Sequence, residues 1–185
     1  MQLTLKLILC RHTQTDYNAA DILTGQKDIP LNQNGINQAR KLADKLAQLP
    51  IQAVYCSDLI RAVKTAEILA ERHGLKVRPD ARLREVSLGK LDGMKRDEAR
   101  AQYPDPQFHT KNQAFNFRPL GGESYWDVIY RQVDCLNELA GRHSVHFQKP
   151  VIIVGHGTAL RILLHHLGQD NSLAQGDFRL LHFPA

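Results

Sequence analysis

The sequence predicts an α/β fold: a three-layer sandwich with a mostly parallel central sheet and helices on both faces. Two observations carry the prediction. Short apolar runs at 7–10, 51–56, 151–154 and 178–183 alternate with longer segments whose apolar residues recur at helical spacing. Two of those runs stop on a histidine, at Cys10-Arg11-His12 and at Val154-Gly155-His156-Gly157. A strand that ends this way brings an imidazole to the rim of a sheet. Folding alone asks for no such pair, so the two ends are read as chemistry.

The elements follow in order. Leu3, Leu5 and Leu7 alternate with polar residues, and the run then becomes continuous through Cys10, as in a strand that enters at a margin and ends buried. Residues 13–28 are polar and read as a loop. Asn32 to Gly35 starts a helix that carries Ile36, Ala39, Leu42, Leu46 and Leu49 on one face, and Pro50 stops it. After the run at 51–56, Ser57-Asp58 is expected to cap a helix with Leu59, Ala62, Ala66 and Leu69 inward, closed by Gly74. A brief strand at 75–77 precedes an irregular stretch, 79–93, and a short polar helix, 94–103. Residues 104–122 hold three prolines and several aromatics and read as a long excursion over one face. A helix over 123–141 buries Ile129, Val133, Leu136 and Ala140, with Ser124 as its candidate cap. The β-branched run at 151–154 suits a central strand. A helix over 158–167 and a last strand at 178–183 complete the chain. No repeat, low-complexity tract or dividing linker appears, so one domain over 1–185 is expected.

Composition narrows the function. With 185 residues, 43% hydrophobic and 23% charged, the chain has the balance of a soluble globular protein. Its formal charge of +5 favours anionic partners. The cations form no tract, so a small anion ranks above nucleic acid. Three scattered cysteines, Cys10, Cys56 and Cys135, give neither a disulfide framework nor metal-type spacing, which fits a reducing, cytoplasmic setting. Neither a signal peptide nor a membrane segment is expected: no apolar run approaches the roughly 20 residues a spanning helix needs. The oligomeric state is left open, with a homodimer as one candidate.

If the two histidine-tipped strands are central and parallel, both histidines face one crevice beyond the carboxyl ends of the sheet. Arg61, early in the helix after Cys56, points over the same rim. Metal binding wants carboxylates or cysteines nearby and avoids arginine, whose charge repels the ion, whereas two imidazoles with two guanidiniums suit a phosphoryl group. Arginine grips phosphate oxygens bidentately, and a neutral histidine is nucleophilic near pH 7. The leaving alkoxide then needs an acid. By spacing, Glu85, Asp92 and Glu123 all remain candidates. Arg82, Arg84 and Arg118 stand between substrate contact and plain surface. His73, His109, His143, His146, His165, His166 and His182 read as structural.

The stretch Leu9-Cys10-Arg11-His12-Thr13-Gln14-Thr15-Asp16-Tyr17-Asn18 resembles the signature of the histidine phosphatase superfamily, in its phosphoglycerate mutase-like branch. Further blocks in the family's order are similar: Thr24-Gly25; Asp28-Ile29-Pro30-Leu31 with Gly35 and Gln38-Ala39; Ser57 to Ala62 with Thr65-Ala66; Leu83-Arg84-Glu85 with Gly89 and Asp92-Gly93; Gly121-Gly122-Glu123-Ser124; and Val154 to Gly157. The resemblance implies that His12 is the nucleophile and forms a phosphohistidine. It implies that Arg11, Arg61 and His156 hold the phosphoryl oxygens, and that Glu85 protonates the leaving oxygen. Asn18, Thr24, Gly25 and the backbone N–H of Gly157 become supplementary substrate contacts. No metal and no cofactor are implied. The substrate is then a small phosphate ester, such as α-ribazole 5′-phosphate or a sugar or glycerate phosphate, and inorganic phosphate is the product.

Four departures stand out. Thr13 takes the place of the usual glycine, Gln14 of a common glutamate, and Gly155 of a frequent serine or alanine; the chain also ends soon after its last strand, so an open site is expected. Three rivals remain: a mutase, a protein phosphohistidine phosphatase, and a catalytically silent binding protein.

Overall fold

The computed structural model describes residues 4–111, 114–143, 149–170 and 173–184. His146 and the start of the first predicted strand, residues 1–3, lie outside them. Five strands form one sheet: β1 (Thr4–Arg11), β2 (Ala53–Cys56), β3 (Val77–Pro79), β4 (Val151–Gly155) and β5 (Phe178–Pro184), in the order β3-β2-β4-β1-β5. β1, β2, β3 and β4 run parallel, and only β5, on the outer edge of β1, is antiparallel. The mostly parallel sheet expected from the sequence is therefore present, with the 151–154 run at its centre.

The pleat of β1 divides the core. Leu5, Leu7 and Leu9 join Ile153 and Tyr55 on one face, under α5 (Tyr125–His143) and α6 (Gly157–His166). Ile8 and Cys10 join Val54, Cys56, Ile152 and Val154 on the other, under α2 (Gln33–Leu46) and α3 (Ile60–Glu71). Both faces are buried, which is why the strands read as continuous apolar runs. A third cluster lies outside the sheet. Val86, Leu88, Leu91, Phe115 and Phe117 pack on Val128, Ile129, Ala159 and Ile162, so the 83–122 stretch has a core of its own.

Several local expectations are corrected. The 13–28 loop contains a one-turn helix, α1 (Asp16–Ala19), closed by a capping box in which Thr15 accepts from the Asn18 N–H and Asn18 accepts from the Thr15 N–H. α2 ends at Leu46, and Leu49 beyond it is 37% exposed, so Pro50 does not set the stop. Ser57-Asp58 does not cap α3. Asp58 is drawn instead into a bidentate pair with Arg84, at 2.7 and 2.6 Å, and Asp28 takes the amide of Ile60 at 2.7 Å. β3 runs from Val77 to Pro79 rather than over 75–77. Ser124 does cap α5: its Oγ accepts the Asp127 N–H at 3.3 Å, while Asp127 accepts the Ser124 N–H at 2.8 Å.

Candidate active site

β1 and β4 end side by side, with Arg11 opposite Gly155 and the His12 N–H donating to the Gly155 carbonyl at 2.9 Å. This register brings the His12 and His156 rings to a centroid separation of 5.1 Å. Arg61, the second residue of α3, is fully buried. Its guanidinium donates to the carbonyls of Lys27 at 2.7 Å and Gly25 at 2.8 Å, so the 25–28 loop is tied to the start of α3. Gly25 is in the left-handed region, φ +49°, and a Cβ there would lie 1.6 Å from Asp92 Oδ1, so glycine is required. At Gly157 a Cβ would come within 2.9 Å of the Arg11 guanidinium carbon, which shows how closely Arg11 lies over the first turn of α6.

Glu85 reaches the same turn from the other side. Its Oε1 accepts the N–H groups of Val86 at 3.0 Å and Ala159 at 2.9 Å, and its Oε2 accepts the N–H of Thr158 at 3.1 Å. Three amides fix the carboxyl, and Oε2 keeps a lone pair that can carry a proton. Behind it, Arg131 donates to the carbonyls of Arg82, Arg84 and Glu85 and pairs with Glu123 at 2.8 Å. Glu123 is thereby committed to bracing the loop. Asp92 accepts from the Gln26 and Leu88 amides, both at 3.2 Å, and does not line the pocket. Of the three acids left open by spacing, only Glu85 faces the site.

These groups open on a cavity of about 580 Å³. Arg11, His12, Asn18, Thr24, Gly25, Arg61, Glu85 and Gly157 line it, which brings together eight of the nine predicted site residues. His156 is fully buried beside the His12 ring and is not among the lining residues. Asn18 turns its Oδ1 toward Thr15 and Gln175, the latter at 2.7 Å. Thr24 bonds only weakly to the Ile22 carbonyl, at 3.5 Å. Arg82, Arg84 and Arg118 are bound to carboxylates instead of facing the cavity. Sequence reasoning missed the opposite wall. There α4 (Arg96–Gln102) and the 108–111 segment contribute Arg96, Arg100, His109 and Lys111, and α6 contributes Arg161, which donates to the Thr110 carbonyl. His109, read as structural, thus lines the cavity. A Lys95-Arg96 pair opening a polar helix was the available signal.

The electrostatics favour an anion. His12 is buried, and its Nδ1 lies 2.7 Å from the Thr13 carbonyl, so Nδ1 carries the proton and Nε2 holds the lone pair. Burial, then the charge of Arg61 and, more weakly, of Arg11, push the His12 pKa from its ordinary 6.5 down to about 3; the Thr13 carbonyl opposes this. Burial, followed by Arg61 and His12, pushes His156 well below 6.5. Burial also lowers the pKa values of Arg11 and Arg61. Arg11 Nε, Arg61 Nε and both ring nitrogens of His156 are buried without a hydrogen-bond partner among the described residues. A tetrahedral oxyanion would accept from the two guanidinium N–H groups and from the one N–H of a neutral His156.

A pH dependence of stability follows. Below pH 6.5 the unfolded chain protonates residues 12 and 156, whereas the folded chain keeps His12 neutral to about pH 3. The unfolded state then binds more protons. Stability should be full above pH 6.5 and fall as pH is lowered toward 3. Urea midpoints at pH 7.5 and 4.5 check this. A His12→Phe, His156→Phe double variant should show a flatter slope, and an unchanged slope would assign the effect elsewhere.

A family model described as histidine phosphatase superfamily (branch 1) matches residues 7–181. The chain is 36% identical over 173 residues to a glucosyl-3-phosphoglycerate phosphatase of Mycolicibacterium vanbaalenii, covering 90% of this chain and 76% of that protein. It is 33% identical over 163 residues to a 2,3-bisphosphoglycerate-dependent phosphoglycerate mutase of Methylobacterium radiotolerans, covering 85% and 76%. Among solved structures, a mycobacterial glucosyl-3-phosphoglycerate phosphatase complexed with VO3 superposes with a TM-score of 0.80 at 34% identity, covering 88% of this chain and 80% of that one.

Proposed function

The chain belongs to the histidine phosphatase superfamily, and on that premise we propose that it hydrolyses a small phosphate monoester by transient phosphorylation of His12. One observation carries the reading. His12 is a neutral imidazole whose protonated nitrogen is committed to a backbone carbonyl, in a pocket it shares with Arg11, Arg61 and Glu85. Nε2 attacks phosphorus in line, the ester P–O bond breaks, and Glu85 gives its proton to the leaving oxygen. Glu85 then takes a proton from water, the hydroxide oxygen displaces Nε2, and inorganic phosphate leaves. Arg11, Arg61 and His156 bind the phosphoryl oxygens as charge shifts, and Asn18, Thr24, Gly25 and the Gly157 N–H complete the cradle. None of these steps asks for a metal ion.

The opposite wall supports a finer choice among esters. Arg96, Arg100, Lys111 and Arg161 line the cavity, Arg96 also pairing with Asp21 at 2.8 Å, and among the described residues Glu85 is its single acidic lining residue. We infer that the alcohol half of the substrate carries a negative group of its own, as in a phosphorylated hydroxy acid. Phosphate release from a phosphoglycerate-type ester should exceed release from a neutral alcohol phosphate of similar size by roughly tenfold in kcat/KM, the weight of about 1.4 kcal/mol. Equal values would remove the second anion from the reading. Resemblance to a named mutase makes isomerisation the second reading, and ³¹P NMR of the products separates the two. Free phosphate supports hydrolysis, whereas a positional isomer of the ester supports transfer. Three free, buried cysteines favour a reducing, cytoplasmic setting. Among the described residues no helix is long and apolar enough to cross a membrane.

A further inference from the structure

Thr13 and Thr65 are both fully buried, and their hydroxyls lie 3.3 Å apart between β1 and α3. We propose that this pair is a positioning device that sets the His12 imidazole against the Arg61 guanidinium, an inference that rests on the phosphohistidine reading above.

The hydrogen-bond count assigns each proton. Thr65 Oγ1 donates to the Arg61 carbonyl at 2.8 Å, one turn back along α3. A hydroxyl has one proton and two acceptor sites. Thr65 Oγ1 therefore accepts twice: from the Thr13 N–H at 3.3 Å and from the Thr13 hydroxyl. The Thr13 carbonyl in turn receives the Nδ1 proton of His12 at 2.7 Å, and the next amide, Gln14 N–H, donates to Gln38 Oε1 of α2 at 3.1 Å. Thr13, whose carbonyl orients the nucleophile, is thus held from α3 through its own N–H and hydroxyl and from α2 through the following amide. One of its anchors grips the backbone of the residue that supplies the phosphate clamp. A shift at Thr65 would move the imidazole relative to Arg61 while leaving the Arg61 guanidinium on the Gly25 and Lys27 carbonyls. The pair therefore bears on phosphoryl transfer rather than on capture of the anion.

The test compares Thr65→Val, which keeps shape and loses the hydroxyl, with Thr65→Ser, which keeps the hydroxyl. With p-nitrophenyl phosphate, Thr65→Val should lower kcat roughly tenfold, while the Kd for inorganic phosphate stays within about twofold of wild type. Thr65→Ser should recover most of the loss. ¹⁵N NMR of the His12 ring should show the Nδ1-protonated tautomer in wild type and Thr65→Ser, and a tautomer mixture in Thr65→Val. If Thr65→Val does not fold, Thr13→Val is measured by the same readouts. Unchanged kcat overturns the proposal, as do equal losses in the Val and Ser variants or a parallel rise in phosphate Kd. Failure of the phosphohistidine reading shows separately, as activity retained in His12→Ala.

Discussion

Replacing His12 by alanine should lower kcat for p-nitrophenyl phosphate roughly 10⁴-fold or more, because removal of a covalent nucleophile removes the reaction path itself and leaves only binding and electrostatics. The pocket argues for a loss of this size. His12 offers an unprotonated Nε2, and its depressed pKa, about 3, keeps that lone pair free across the whole neutral and mildly acidic range. Arg11 and Arg61 remain in the variant, so inorganic phosphate should still bind. Rapid quenching with a ³²P-labelled substrate should trap acid-labile protein-bound phosphate in wild type and none in the variant. Activity within about tenfold of wild type would move the nucleophile elsewhere, and EDTA should leave wild-type turnover unchanged.

Glu85→Gln should be the second large effect, and its size should depend on the leaving group. With an alkyl phosphate, whose alkoxide is a poor leaving group, loss of the proton donor should cost roughly 10²–10⁴ in kcat. With p-nitrophenyl phosphate, whose phenolate leaves without help, the loss should be about tenfold or less. Glutamine keeps one oxygen for the Val86 and Ala159 amides but turns an N–H donor toward the Thr158 amide, so one bond is lost whatever the substrate. The ratio between the two substrates, rather than either rate alone, reports proton donation. A ratio unchanged from wild type would reassign the acid.

Much of this was legible in the chain because its main features are local. β1 and β4 are apolar runs, and the candidate site residues Arg11, His12 and His156 stand at their ends. The helices show their buried stripes at the expected spacing. What stayed hidden depends on contacts between distant segments. The cap of α3 comes from Asp28, and nothing near Ile60 announces it. α1 is four residues long, too short for periodicity, and only its Thr15–Asn18 box marks it. The basic wall opposite His12 depends on Phe115 and Phe117 packing against α5 and α6, and aromatic residues in a loop do not declare their partners. Thr13 was visible as an oddity, but its partner Thr65 lies 52 residues away.

The alternation of β1 has one more consequence. Odd positions of the strand feed the α5–α6 layer and even positions the α2–α3 layer. Arg11 continues the odd series and lies over Gly157, whereas His12, one step on, lies within reach of the charge of Arg61 on α3. Two neighbours in sequence thus reach one cavity from opposite layers, and their assignment is a matter of parity. Deleting or inserting a single residue between Leu5 and Cys10 would turn the β1 residues on one side of the change to the opposite layer. Lengthening a surface turn tests no such rule. An insertion inside β1 therefore costs buried packing and site geometry together, whereas a substitution there changes one contact at a time.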